Sequence, residues 1–290
     1  MGLKIFLNGE FVDKENAKVS IFDHGLLYGD GVFEGIRSYR RKVFRFKEHM
    51  DRLYESADAI RLKIPLDKED FQARILETLA VNNLNDAYIR VVVTRGVGDL
   101  GLDPRKCKTA TVFIIADKIA LYPEALYETG LDIIIAKTRR NHPSALNPKV
   151  KSLNYLNNIL GKIDALDAGT YEAIMLSIEG YVVECTGDNI FIVKDGKLAT
   201  PPCDLGSLEG ITQEAVIELA KKRGIVTEFC KMLPEELYGA EECFLTGTAA
   251  EIIPVVRISG KLIGTGKPGK ITKQMLADFR KLTGVEGVGY

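Results

Sequence analysis

Hydrophobic and polar positions divide the chain into short elements of two periods. "KIFLNGEFVD" (4–13) alternates and turns at Asn8-Gly9, a dipeptide that favours a tight hairpin. A helical repeat predicts a helix from about Phe46 to Leu62, with Met50, Leu53, Tyr54, Ala57 and Ile60 on one stripe and Arg52 close to it. A second predicted helix, from about Asp67 to Asn82, carries Phe71, Ile75 and Leu79. The β-rich runs "AYIRVVVTR" (87–95) and "ATVFIIAD" (110–117) flank a glycine-rich loop. "KIALYPEALYETG" (118–130) has a proline in its middle and no clean period, and reads as a linker.

Beyond it, "LDIIIAK" is a buried-type strand, and Leu156, Ile159, Leu160 and Ile163 predict a helix over 153–168. Strands "EAIMLS", "YVVE" and "IFIVKDGKL" follow, then a helix from Thr212 to Arg223 ended by Gly224. "CFLTGTAAEIIPVVRISGKLIG" (243–264) reads as strand, tight turn and hairpin. Strands and helices mix without strict βαβ alternation, which predicts an α+β protein. At 290 residues two domains are expected: a smaller one over 1–118, a linker over 119–131, and a larger one over 132–290.

Composition narrows the function. Lys+Arg number 39 and Asp+Glu 40, so no basic excess points to nucleic acid or an anionic membrane. No apolar run reaches the roughly 20 residues that span a bilayer. "MGLKIFLNGEFVDKENAK" turns polar too early for a signal peptide. Five cysteines without C-x-x-C spacing suggest a reduced, cytoplasmic protein with no zinc site.

The unusual chemistry lies in "NPKVKSLNYLNNIL" (147–160). Lys149 and Lys151 sit at the mouth of a predicted helix, where the dipole disfavours positive charge. A lysine amine attacks a carbonyl only when deprotonated, and its ordinary pKa of about 10 must fall for that. Such a lysine suggests pyridoxal phosphate, which also needs a carboxylate for its ring nitrogen and a phosphate cradle. Glu184, at the end of "YVVE", offers the carboxylate. "EGIT" (209–212) and "TGTAAE" (246–251) offer backbone N–H groups, and Arg52 a cation. Taken singly, each has an ordinary structural explanation.

Taken together they resemble a known family. "DHGLLYGDGVFEGIRSY", "FRFKEHMDRL", "AYIR", "KSLNYLNN", "VVECTGDNIF", "LEGIT" and "FLTGTAAEI" occur in the order and spacing of the fold type IV pyridoxal-phosphate enzymes, the class IV aminotransferases. "YGDGVFEGIR" with "RGVGDLGLDPRKC" is similar to the branched-chain amino acid aminotransferases, especially the archaeal type. The resemblance implies a smaller N-terminal α/β domain and a larger C-terminal pseudo-barrel domain carrying the cofactor lysine. It also implies pyridoxal 5'-phosphate, transfer of an amino group between leucine, isoleucine or valine and 2-oxoglutarate, and a homodimer or larger homo-oligomer.

Residue by residue, it makes Lys151 the cofactor lysine and catalytic base. Glu184 becomes the ring-nitrogen partner, and Tyr155 the phenolic-oxygen partner. Arg52, Ile211, Thr212 and Thr248 become the phosphate site, and Tyr28, Phe33, Tyr88, Arg90, Thr248 and Ala249 the substrate pocket. Lys149 has no family role and reads as a surface residue. The short "KSLNY" is also close to the D-amino acid aminotransferase and aminodeoxychorismate lyase pattern, so a D-amino acid or (R)-amine transaminase, or that lyase, is the alternative. "VFEGIR" argues against the D-specific branch.

Overall fold

The computed structural model describes residues 2–119 and 121–290; Ala120, inside the expected linker, lies outside the described residues. Two compact units are present. Of the described residues, the first comprises 2–119, 150–154 and 283–290, the second 121–149 and 155–282. Mixed strands and helices in both make the class α+β, as expected.

In the first unit the Asn8-Gly9 turn joins β1 (Lys4–Leu7) to β2 (Glu10–Asp13) in an antiparallel hairpin. After α1 (His24–Tyr28) come β3 (Gly31–Tyr39), β4 (Lys42–Val43), α2 (Phe46–Ala59), α3 (Lys68–Val81), β5 (Ala87–Thr94) and β6 (Thr111–Asp117). The α1 helix has no long apolar period to announce it. It is set by Asp23, whose carboxylate accepts from Gly25 N (2.8 Å), Thr94 Oγ1 (2.9 Å) and Thr111 Oγ1 (2.7 Å). β3 pairs with β5 and β5 with β6, all antiparallel. Alternation divides the residues of β3 between two faces. Val32 and Ile36 join the core that Met50, Leu53 and Ala57 of α2 and Phe71, Ile75 and Leu79 of α3 complete. Phe33 and Gly35 lie on the opposite face.

In the second unit, α4 (Ala125–Thr129) and β7 (Leu131–Ile135) precede α5 (Leu156–Asp167). Then come β8 (Ala173–Leu176), β9 (Val182–Cys185), β10 (Asn189–Lys194), β11 (Lys197–Thr200), α6 (Ile211–Lys222), β12 (Thr227–Phe229) and α7 (Pro234–Tyr238). β13 (Glu242–Gly247), β14 (Glu251–Ile258), β15 (Lys261–Leu262), α8 (Lys270–Val285) and β16 (Val288–Gly289) end the chain. The sheet runs β12-β11-β10-β13-β14-β7-β8-β9, with β15 paired to β14. β16 belongs to the first sheet, antiparallel to β4.

One sequence expectation needs correction, and two further segments are held by contacts that no local period signals. The helix expected over 153–168 begins at Leu156, so Lys151 stands in extended chain rather than on a first helical turn. Its segment pairs with β3: Phe33 N donates to Lys151 O (3.0 Å) and Leu153 N to Gly31 O (2.9 Å). This pairing groups residues 150–154 with the first unit. The expected linker is structured from residue 121 onward. It carries α4 and two buried tyrosines, Tyr122 and Tyr127, the latter donating from its hydroxyl to Ala250 O (2.9 Å).

Among the described residues no helix is long and apolar enough to cross a membrane. Leu53 is wholly buried between α2 and the first sheet. Leu53→Ala should lower the unfolding free energy by about 2–5 kcal/mol, read from urea denaturation followed by circular dichroism.

Candidate functional site

Each unit brings together its own set of the residues singled out from sequence. In the first, α2 places His49, Arg52 and Ser56 at helical spacing on its inward side. All three meet groups on β3 or the Lys151 segment. Arg52 grips Glu34 of β3 with Nε on Oε1 (2.6 Å) and Nη2 on Oε2 (3.0 Å). His49 Nδ1 lies 2.8 Å from Glu34 Oε2. Ser56 Oγ accepts from Lys151 N at 3.1 Å. Burial alone would push the Glu34 carboxyl up, but Arg52 and His49 outweigh it and hold it well below the usual carboxylate range. Burial pushes the His49 imidazole down, against the pull of Glu34.

The opposite face of β3 presents Phe33 beside two cations. Lys151 Nζ stands 4.8 Å from the ring centroid and Arg90 Cζ 4.5 Å. Arg90 opposes Gly35 across the strands, and its Nη2 donates to Tyr88 Oη (3.1 Å). A side chain at position 35 would exclude this arrangement, because its Cβ would stand 2.1 Å from Tyr88 Oη. Tyr28, exposed at the end of α1, accepts on its hydroxyl from Gly101 N (2.9 Å). Arg95, the other arginine near β5, is committed to structure. It binds Asp30 through two nitrogens and the carbonyls of Ile60 and Arg61.

In the second unit Glu184 is buried on β9. Its Oε2 accepts from Leu208 N (3.0 Å), and its Oε1 lies 2.8 Å from Nη2 of Arg140. Arg140 also reaches Asn158 Oδ1 (2.8 Å), Asn157 Oδ1 (3.2 Å) and Gly206 O (3.1 Å). Sequence reasoning missed Arg140, because "KTRRNHP" has the composition of a solvated basic turn. Lys149 is indeed at the surface, its ammonium 2.6 Å from Glu209 and its pKa raised by that hydrogen bond.

Gly210, not a threonine, caps α6, so Ile211 and Thr212 are its first two residues. The first bond within the helix closes at Glu214 N on Gly210 O (2.9 Å), which leaves the preceding N–H groups at the helix mouth. A Cβ at position 210 would fall 1.9 Å from Asn189 Oδ1 and force that side chain to move. Thr248 and Ala249 form the β13–β14 turn, and a Cβ on Gly247 would meet Asp188 Oδ1 at 1.9 Å. Tyr155 is the N-terminal cap of α5.

This donor set has a definite chemical character. The first unit supplies a lysine amine and a guanidinium, and the second supplies a buried carboxylate able to hold a ring N–H, a helix mouth and hydroxyls suited to a phosphate ester. Those groups fit pyridoxal 5'-phosphate. Among the described residues no cluster of three His, Cys, Asp or Glu could hold a metal.

Comparison with known proteins gives concordant matches. A family model described as "Amino-transferase class IV" matches residues 31–258. A "Putative branched-chain-amino-acid aminotransferase" of Methanocaldococcus jannaschii is 56% identical over 280 residues, 97% of this chain and 96% of that protein. The Escherichia coli branched-chain amino acid aminotransferase crystal structure superposes with a TM-score of 0.95 at 37% identity, covering 98% of this chain and 95% of that one. A T.th. branched-chain amino acid aminotransferase with pyridoxamine 5'-phosphate gives 0.93 at 36%, covering 98% and 94%. That protein is also known complexed with N-(5'-phosphopyridoxyl)-L-glutamate and with 4-methylvaleric acid, each at a TM-score of 0.92 and 35% identity, covering 98% and 97% of this chain and 94% of that one.

Asp188, behind the β13–β14 turn, gives a pH test of this region. Burial, then the nearby Glu172, push its carboxyl up from 3.8 to about 7, while Tyr122 Oη donates to it at 3.3 Å. A raised carboxylate favours folding while neutral, so its contribution is complete below 3.8 and is lost as pH rises towards 7. Asp188→Asn cannot ionise. Its urea midpoint relative to the parent should therefore climb between about pH 4 and 7 and level off above, the window that the shift defines. A difference independent of pH would contradict the shift.

Proposed function

This chain belongs to the class IV aminotransferase family, and we propose that it transfers an amino group between branched-chain L-amino acids (leucine, isoleucine, valine) and 2-oxoglutarate. The observation that carries the reading is the wall built by β3 and β5. Phe33 supplies an apolar surface with the Lys151 amine near its ring and one guanidinium, Arg90, near it too. A transaminase of this kind must take an aliphatic side chain in one half-reaction and a distal carboxylate in the other. Apolar groups with one placed arginine serve both. The T.th. relative, known with both a glutamate adduct and 4-methylvaleric acid, supports this. The branched-chain names of the relatives favour it over the D-amino acid, (R)-amine and lyase alternatives.

Bound pyridoxal 5'-phosphate supplies an electron sink for the negative charge that develops when the substrate loses its α proton. The chain's own residues do the rest. Lys151 holds the cofactor between turnovers, and its freed Nζ takes the proton from the substrate Cα and returns it as general base and acid. Its backbone is fixed to β3 and Ser56, so only the flexible stem moves. Glu184 keeps the ring nitrogen protonated, itself oriented by Arg140 and Leu208 N. Arg52, Ile211, Thr212 and Thr248 hold the phosphate, and Tyr155 the phenolic oxygen. Thr248 and Ala249 take the α-carboxylate, and Tyr28, Phe33 and Tyr88 surround the side chain. A cytoplasmic homodimer or larger homo-oligomer belongs to the same proposal.

Lys151→Ala should abolish transamination and covalent cofactor attachment, while Lys149→Ala keeps both. Borohydride reduction followed by peptide mapping decides between them: a pyridoxyl adduct on Lys149 would refute the assignment.

Arg90→Leu should cost the glutamate and 2-oxoglutarate couple about 10- to 100-fold in kcat/KM, the scale of one lost charged hydrogen bond. The leucine half-reaction should change much less. Mixing each amino acid alone with the loaded enzyme and following its visible absorbance separates the two. Equal slowing would assign Arg90 to the fold or the cofactor.

A further inference from the structure

Glu34 is an anomaly in the fold. It sits wholly buried on β3, between Val32 and Ile36 on the face that packs under α2. A carboxylate so placed is costly, and a buried ion pair is often replaced by apolar groups with no loss of stability. Three donor contacts reach it: Arg52 Nε and Nη2, and His49 Nδ1. The ionised carboxylate only accepts, so His49 carries its hydrogen on Nδ1. The fork from Arg52 fixes the guanidinium plane, because with Nε and Nη2 both engaged it cannot turn about its Cδ–Nε bond. His49 in turn stops the carboxylate from rotating. His49 and Arg52, three residues apart on α2, therefore close on one carboxylate and leave no loose joint between strand and helix.

We infer that Glu34, steadied by His49, is a positioning residue that presets the Arg52 guanidinium to receive the phosphate of the cofactor. The inference rests on the assignment of Arg52 to that phosphate. Its physical content is preorganisation: an anion arriving at Arg52 meets a cation that has already lost its rotational freedom. Glu34 itself touches neither cofactor nor substrate in this scheme. Its effect should therefore appear only for ligands that carry a phosphate.

The test compares binding of pyridoxal 5'-phosphate with binding of pyridoxal, which lacks the phosphate, to the full-length apo chain by equilibrium dialysis. Glu34→Gln removes the charge. Glu34→Asp keeps it, so Arg52 is not left with an uncharged neighbour, but withdraws the carboxylate by one methylene. Both should weaken pyridoxal 5'-phosphate by about tenfold or more and pyridoxal by less than about twofold, in line with a displaced charge-assisted contact. Arg52→Gln should show the same phosphate-selective loss, and Glu34→Gln should add nothing to it in the double variant, which carries neither charge.

Equal weakening of both ligands, additive losses in the double variant, or undiminished affinity for pyridoxal 5'-phosphate would each overturn the inference. So would failure of both Glu34 variants to fold, since a positioning residue leaves the fold standing. If Arg52→Gln is not phosphate-selective, the assignment of Arg52 falls and takes the inference with it. If Arg52→Gln is selective and the Glu34 variants are not, only the inference falls.

Discussion

The free edge of β3 is the constraint from which the lysine's position follows. Among the described residues β4 meets β3 only at Ser38 and Tyr39, so the first part of β3 has an edge that must be covered or wetted. Residues 151–153 cover it through the bonds of Phe33 N to Lys151 O and Leu153 N to Gly31 O. Ser56 of α2 then takes the Lys151 N–H. Both backbone groups of the lysine are thus tied down before its side chain begins. A long, flexible ammonium stem gains precision only if its root is rigid, and an edge pairing gives that rigidity without a helix.

Much of the scaffold was legible because it is strongly periodic. The two N-terminal helices, the Asn-Gly hairpin and the strands β5 and β6 follow from side-chain spacing alone. The failures share a cause. The Lys151 segment is extended because of a partner more than a hundred residues earlier, which no local period records. α1 is too short to show a repeat, and Asp23 stabilises it through Thr94 and Thr111. Tyr122 and Tyr127 bury single aromatic anchors, so their segment reads as linker while packing as core.

The site divides in the same way. Residues that would bind the cofactor or substrate stand in short recognisable strings, whereas those that orient them do not. Arg140 looked like one more surface cation, yet it holds Glu184, Asn157, Asn158 and Gly206 at once. Only arginine has the donors and the planar fork to do so. Glu34 did leave a trace in the sequence. In "VFEGIR" the alternation puts it in step with Val32 and Ile36, a charge at a core position, and such a charge implies a buried partner.

Each unit therefore contains a buried guanidinium–carboxylate pair with the roles exchanged. In the first, the cation is proposed to act and the carboxylate to support it; in the second, the carboxylate is proposed to act and the cation to support it. The supporting charge removes the acting one's freedom to turn. Arg90 is built differently, and the difference suits its task. It has no carboxylate among its described contacts, only the Tyr88 hydroxyl and aromatic rings. Taking a substrate carboxylate by a fork needs an open pair of N–H groups, a capacity that Arg52 has already used on Glu34. An arginine resting on aromatic faces keeps that capacity, and the missing side chain at Gly35 is what lets Tyr88 close in beside it.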